Sequence, residues 1–241
     1  MSTATRPKPD PRRFFHSDAQ LRLNARRLEH LACLDLVRPG CTVLDAGAGL
    51  GDLSTYFINR GCATMVTEGR PELVAMIRAG QGMVEPKHGM VLNLDRPPQP
   101  PSIPLNVVMC FSVLHLLERP AEALAFLRAC VSPDGIMLVE TPVTPGPEDA
   151  LTLGIVSRSE PDSSLTGKGG RPTRQWVWNR LREHFANVYV PRFQPDHEAF
   201  PTDWTTIRRG QPARALFVAS GKELLNDGLS PVLLEQHARY T

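Results

Sequence analysis

An acid and three alternate glycines stand together in the run VLDAGAGLGDLSTYF, Val43 to Phe57: Asp45, then Gly47, Gly49 and Gly51. Val43 and Leu44 end an apolar stretch of strand character, and Leu53, Phe57 and Ile58 begin a stripe at helical spacing. Glycines at such a junction allow a tight turn and let the backbone approach a ligand without Cβ interference. The spacing G-x-G-x-G differs from the dinucleotide fingerprint G-x-G-x-x-G, in which a helix N-terminus receives a pyrophosphate. Asp52 opens the following helix here and would repel phosphate. The loop suits a ligand with an amine, a sulfonium and ribose hydroxyls but no phosphate. The plainer alternative is a glycine-rich turn that binds nothing.

Such a loop needs a sheet to hold it. Residues 1–16 read as a flexible arm, after which Ser17 or Asp18 can cap a helix carrying Leu21, Ala25, Leu28 and Ala32 at helical spacing. Strand and helix then alternate: a strand at Thr42–Asp45, a helix at Leu53–Arg60, a strand at Ala63–Glu68 and a helix at Pro71–Ala79 with proline in its first turn. A third strand, Met90–Leu94, is followed by RPPQPPSIP, whose five prolines exclude a regular crossover helix. A strand at Val107–Phe111, a helix at Pro120–Val131 and a strand at Ile136–Glu140 restore the alternation, which implies a parallel sheet. The Pro-, Gly- and Ser-rich stretch between Thr141 and Thr173 reads as a long loop, a lid-like insertion over about residues 142–172 that covers substrate. A helix at Thr173–Phe185, an antiparallel strand pair at Asn187–Val190 and Ala213–Ala219, and a short outer helix within Leu224–Thr241 complete one domain over residues 17–241.

Asp45-Ala46-Gly47-Ala-Gly49-Leu-Gly51, Glu68 at the end of the second strand, Asp95 after the third and FSVLHLLERP after the fourth together resemble the class I S-adenosylmethionine (SAM)-dependent methyltransferases, over roughly residues 18 to 220. RLNARRLEHL, GKGGRPTRQWVWNRL and QPDHEAFPTDW are similar to a bacterial, small-molecule-type subgroup of that family. The resemblance implies an α/β, Rossmann-like fold with a seven-stranded, mostly parallel sheet, a reversed last strand and helices on both faces. It implies SAM as cofactor, lying across the strand C-termini, where open α/β sheets bind ligands. Asp45, Ala46 and the three glycines would surround the methionine portion. Glu68, followed by Gly69, would accept hydrogen bonds from both ribose hydroxyls, a task suited to a carboxylate with two acceptor oxygens. Asp95 would meet the adenine amino group and Leu94 its ring. Phe111 and Ser112 would stand at the rim where the methyl group is transferred.

Signatures that are absent narrow the reaction. No Asn/Asp-Pro-Pro-aromatic tetrad follows the fourth strand, which disfavours base amines as acceptors. Cys33, Cys41, Cys62, Cys110 and Cys130 form no CxxC pair and mostly lie in apolar runs, and of the carboxylates near the fourth and fifth strands only Glu140 stands out, so no metal is expected. Methylation of oxygen is helped by a neutral base beside the attacking hydroxyl. His115 is the first candidate and His197 the second, with a helix-start histidine braced on backbone as the plainer reading of His115. Lys168, Arg171 and Arg174 could bind an anionic substrate or simply solvate the lid.

With 241 residues, 41% hydrophobic and 22% charged, the chain has the balance of one globular domain. Its net charge of +2 is too mild for a nucleic-acid partner. The Pro-rich start has no apolar core of a signal peptide and no run is long enough for a membrane span, so a cytoplasmic location is expected. The expected function is transfer of a methyl group from SAM to an oxygen of a small polar molecule, such as a sugar-containing or natural-product intermediate. The alternatives are an RNA or protein methyltransferase and a SAM-binding partner subunit without catalysis. The oligomeric state is left open.

Overall fold

A computed structural model of the chain describes residues 10–80, 85, 87–158, 160–208, 210–211 and 213–240. The chain begins with α1 (Arg12–Phe15) and α2 (Asp18–Leu34), the latter capped by Ser17, whose hydroxyl accepts from the Gln20 N–H. There follow β1 (Thr42–Ala46), α3 (Ser54–Asn59), β2 (Ala63–Glu68), α4 (Pro71–Ala79), β3 (His88–Val91) and β4 (Leu105–Phe111). A 3-10 turn at Leu114–Leu116 leads into α5 (Pro120–Cys130), β5 (Val131–Pro142), β6 (Leu151–Ile155), β7 (Lys168–Pro172) and α6 (Arg174–His184). The last elements are β8 (Asn187–Pro191), β9 (Phe193–Gln194), β10 (Arg214–Ser220), β11 (Leu229–Ser230) and β12 (Ala238–Arg239).

The main sheet runs β11-β8-β10-β5-β4-β1-β2-β3. Neighbours from β3 to β5 are parallel, while β10 is antiparallel to both β5 and β8. This is the expected seven-stranded pattern with its reversed strand, to which the two-residue β11 adds an eighth at the edge. Strands buried on both faces read as continuous apolar runs. In β4, Val108 and Cys110 pack with α5 and α6, whereas Val107, Met109 and Phe111 face the side of α2 and α3. No regular helix joins β3 to β4, as the prolines of 96–104 require.

Three expectations are corrected. Residues 1–9 of the arm lie outside the described residues, but Arg12–Phe15 form a helical turn and do not trail as a flexible arm. The stretch from 142 to 172 contains an antiparallel ribbon, β6 paired with β7 from Leu151↔Pro172 to Ile155↔Lys168. Leu151, Leu153 and Ile155 alternate as a strand requires, but Gly154, Gly169 and Gly170 weaken the signal. Leu224–Thr241 forms no helix in its described part, because Gly228 and Pro231 interrupt the apolar spacing and the backbone pairs instead as β11 and β12. Among the described residues no helix is long and apolar enough to cross a membrane.

Candidate active site

The glycine-rich turn leaves β1 between β2 and β4, in register with both through Asp45 opposite Val66 and Met109. The Gly47 and Ala48 N–H groups donate to the Thr67 carbonyl at 2.9 and 2.8 Å, fastening the turn to β2. Gly47 and Gly49 have φ of +83° and +61°, a region costly for side-chain-bearing residues. Crowding adds to this. A Cβ on Gly47 would collide with Val113, and one on Gly49 would stand 2.6 Å from the Phe15 ring. The turn thus forms the floor of a cleft of about 1100 Å³, open mouth included, at the C-terminal ends of the parallel strands.

Acids line one half of this cleft. Asp45 is buried, and its Oδ2 accepts from the Ser54 hydroxyl at 2.5 Å. Burial pushes its pKa up to about 7, with Ser54 opposing and the charge of Glu68 adding to the rise. Glu68 accepts from the Gly49 N–H at 3.1 Å on one oxygen and from the Arg70 N–H at 3.0 Å on the other. Burial raises its pKa and these N–H groups pull it back. Asp95 Oδ1 accepts from the N–H groups of Glu118 and Arg119 at 2.8 and 3.1 Å, while its buried Oδ2 has no partner among the described residues.

The other half is basic. Glu140, fully buried on β5, is bracketed by Arg27 of α2 on Oε2 and Arg214 of β10 on Oε1, the latter at 2.7 Å. The Ser112 hydroxyl accepts from both guanidiniums, at 2.6 Å from Arg27 and 2.7 Å from Arg214. Burial opposes ionisation of Glu140, but the two arginines outweigh it and hold its pKa below the ordinary value. His115, in the 3-10 turn, also lines the cleft, with a buried Nδ1 that has no partner among the described residues. Burial, helped by the charge of Arg214, pushes its pKa down to about 3. The imidazole is therefore neutral at physiological pH.

Two elements wall the cleft from above. Phe14 and Phe15 lie over the glycine turn, with His16 Nε2 at 3.2 Å from Asp52 Oδ1. The loop joining β6 to β7 brings Pro161, Asp162, Ser163 and Leu165 over the Glu68–Arg70 side. Arg70 Nη2 donates to the Ser163 carbonyl and hydroxyl, both at 3.0 Å, and ties the loop down.

Residues 15–194 match the family described as a methyltransferase domain. The chain belongs to the class I SAM-dependent methyltransferases. Several solved structures share the methyltransferase fold at low identity. The N-terminal domain of EvdMO1, in the presence of S-adenosylhomocysteine (SAH) and D-fucose, has a TM-score of 0.60 at 15% identity, covering 86% of this chain and 85% of that one. A SAM-dependent methyltransferase from Mesorhizobium loti has a TM-score of 0.54 at 19% identity, covering 81% and 95%. The glycopeptide N-methyltransferase MtfA, complexed with SAH, has 0.53 at 13%, covering 81% and 86%. No curated protein matches the chain in sequence.

The donor set fits SAM, the cofactor of the methyltransferase. The unpartnered Asp95 Oδ2 can accept from an amino group, each Glu68 oxygen keeps a lone pair for a ribose hydroxyl, and Asp45 can face an ammonium. Of the residues singled out from sequence, Asp45, Gly47, Gly49, Glu68, Gly69, Leu94, Asp95, Phe111, Ser112 and His115 line the cleft. Ala46 and Gly51 do not line it: Ala46 is core, and the Gly51 N–H closes the turn onto the Ala48 carbonyl. His197 does not line it either; its Nδ1 accepts from the Ala199 N–H in a loop packed on Leu23. Lys168, Arg171 and Arg174 are not brought together there. Lys168 pairs with Glu118 at 2.7 Å, Arg171 is exposed on β7, and Arg174 is buried with its guanidinium 3.8 Å from the Trp204 ring centroid.

Sequence reasoning missed Phe14, Phe15, Arg27, Arg70 and Arg214. A signal for Arg27 was present. The buried face of α2 reads Leu23, Asn24, Arg27, His30, Leu31, Leu34, a helical stripe with polar residues at core positions.

Proposed function

We propose that this methyltransferase moves the SAM methyl group to an oxygen of a small polar acceptor, with sugar-bearing or natural-product intermediates as the acceptor class. The observation that carries the reading is the charge at the rim where the acceptor must stand: two guanidiniums, Arg27 and Arg214, against the single carboxylate of Glu140. A positive field disfavours a cationic amine acceptor and favours a hydroxyl that becomes oxyanion-like as its proton leaves. Bound SAM supplies an electrophilic methyl group on a sulfonium. Asp45 would hold its ammonium, Glu68 its ribose and Asp95 its adenine amino group. His115, neutral in this pocket, offers a hydrogen bond that orients the acceptor hydroxyl. A pKa near 3 makes it a weak base, so the proton passes to solvent and proximity carries most of the work.

Walls on both sides of the cleft support a small acceptor over RNA or protein. Several surface bases are paired with acids, as in Arg26 with Glu29, Lys168 with Glu118 and Arg180 with Asp149. D-fucose accompanies EvdMO1 and MtfA acts on a glycopeptide, which supports a sugar-bearing class. The ribbon β6–β7 and its loop serve as the lid. Calorimetry with SAM, SAH and NAD, followed by SAH release with hydroxylated sugars, phenols, amines, RNA and unfolded protein, tests the reading. SAM and SAH should bind, NAD should not, and only hydroxyl acceptors should release SAH. Turnover with amines or RNA alone would refute it.

A further inference from the structure

We infer that the Arg27–Glu140–Arg214 cluster is a recognition site for an oxyanion, a carboxylate or phosphate that the acceptor carries beside its reacting oxygen. This deepens the methyltransferase reading and rests on it. Glu140 uses one oxygen on each arginine, and Ser112 accepts from both, so the acceptors within the cluster are already engaged. The donors are not. Arg27, 2% exposed, spends Nη1 on Asn24 and Nη2 on Ser112 and Glu140, and its buried Nε has no partner among the described residues. Arg214 spends only Nη1. Its Nη2 and Nε have no partner among the described residues, and its side chain, 19% exposed, lines the cleft.

Charge leads to the same place. Two cations and one anion leave a net +1 inside the protein, and a buried charge without a counter-ion is costly. The acids of the opposite half, Asp45, Glu68 and Asp95, each bond through at least one oxygen to Ser54 or to backbone N–H groups and form no ion pair with Arg27 or Arg214. An oxyanion in the cleft would neutralise the excess and take the Nη2 and Nε donors of Arg214 as a fork. Ser112, whose hydroxyl centres the two guanidiniums, sits at φ +57°, a conformation that a non-glycine residue keeps only where its surroundings impose it. The antiparallel run of β10 puts its first residue, Arg214, at the same sheet edge as the C-terminal end of β4, where methyl transfer is expected.

The cofactor's own carboxylate has the same chemistry, so the test separates the two sources. SAH-loaded protein is titrated with benzoate, phenyl phosphate and the neutral isostere benzamide, as wild type, Arg214→Gln and Arg214→Lys. SAH and 5′-methylthioadenosine, which lacks the amino-acid portion, are titrated into each protein alone. One of the anions should bind wild type about 10-fold or more tightly than benzamide, Arg214→Gln should erase that preference, and Arg214→Lys should keep part of it. SAH affinity should change by no more than about 2-fold in Arg214→Gln. Equal or absent binding of all three probes overturns the proposal. So does a loss of SAH affinity in Arg214→Gln with 5′-methylthioadenosine unaffected, which assigns the arginine to the cofactor. Should neither variant fold, arginine Nε–H signals of the SAH-loaded wild type decide: they must move with the anions and not with benzamide. Failure of wild type to bind SAH counts against the methyltransferase reading and this one together, whereas lost anion preference with SAH bound counts against this one alone.

Discussion

Asp45 loses water on burial and its pKa rises to about 7, and the cofactor's ammonium, placed against it as proposed, would favour its ionised form. Binding must then release a proton near and below neutrality, so SAM affinity should rise with pH up to about 7 and level off above it. Calorimetry in buffers of different ionisation enthalpy reads that proton directly; no release would mean that Asp45 does not meet the cation. Stability moves the other way. The folded pKa lies above the unfolded value of 3.8, so the charge costs on the order of 4 kcal/mol once the pH exceeds about 7 and nothing below about 4. Cofactor-free Asp45→Asn should therefore melt higher than wild type near pH 8 and alike near pH 4. If Glu68 holds the ribose as proposed, Glu68→Ala removes two charge-assisted bonds and should weaken SAM by about 1.5–3 kcal/mol in calorimetry with the fold intact. Unchanged affinity would leave Glu68 as a strand-end acid. Both acids were legible in the sequence because each stands beside glycines at a strand end, a purely local signal. Arg27 and Arg214 were not, because their partnership exists only once the sheet order sets α2, β4, β5 and β10 side by side.

At the scale of elements, the alternation of strands and helices followed from apolar runs and the prolines that punctuate them, so the parallel half of the sheet could be read directly. The ribbon could not. Its strands contain three glycines at Gly154, Gly169 and Gly170, and only the first part alternates apolar with small or polar residues. Yet one glycine is demanded by packing: a Cβ on Gly169 would stand 2.7 Å from the His115 carbonyl oxygen, so β7 lies directly against the turn that holds His115. The loop beyond the ribbon is fastened through Arg70, which also reaches the carbonyls of Arg158 and Ser164 at 3.3 and 3.4 Å. Its landing place is the Glu68 side of the cleft. On the proposed reading the loop would retain the cofactor, and selection of the acceptor would fall to the arginine side. Arg70→Ala should raise the SAH dissociation rate about 10-fold, measured by stopped-flow displacement, because several hydrogen bonds of about 1 kcal/mol each are lost at once. An unchanged rate would release the loop from that role.

The whole molecule carries a pH dependence that arises from where its histidines are buried. His30 Nε2 lies 2.9 Å from the Phe193 carbonyl and His237 Nδ1 2.7 Å from the Pro191 carbonyl, both close to the junction of α2 with the C-terminal strands. Burial pushes each pKa down to about 4, against the smaller upward pull of those carbonyls, and His115 falls to about 3. In the unfolded chain all three titrate near 6.5, so between that value and about 4 the unfolded state binds protons that the folded state refuses. Stability should therefore fall as the pH drops through this window. Asp45, Glu68, Asp95 and Asp162, whose pKa values burial raises, act in the opposite sense, Asp45 by on the order of 4 kcal/mol; against them stand three histidines of roughly 3 kcal/mol or more each, joined by His88 and His197, whose pKa values burial also lowers. Glu140, whose pKa is lowered in the fold, adds its own loss below the ordinary carboxylate range. The histidines win. The urea midpoint of the cofactor-free protein should decline steadily from about pH 7 to about pH 4.5, and His30→Gln, whose amide can still donate to the Phe193 carbonyl, should decline less steeply. A midpoint that stays level or rises on acidification would mean that these rings take up protons without unfolding the junction they share.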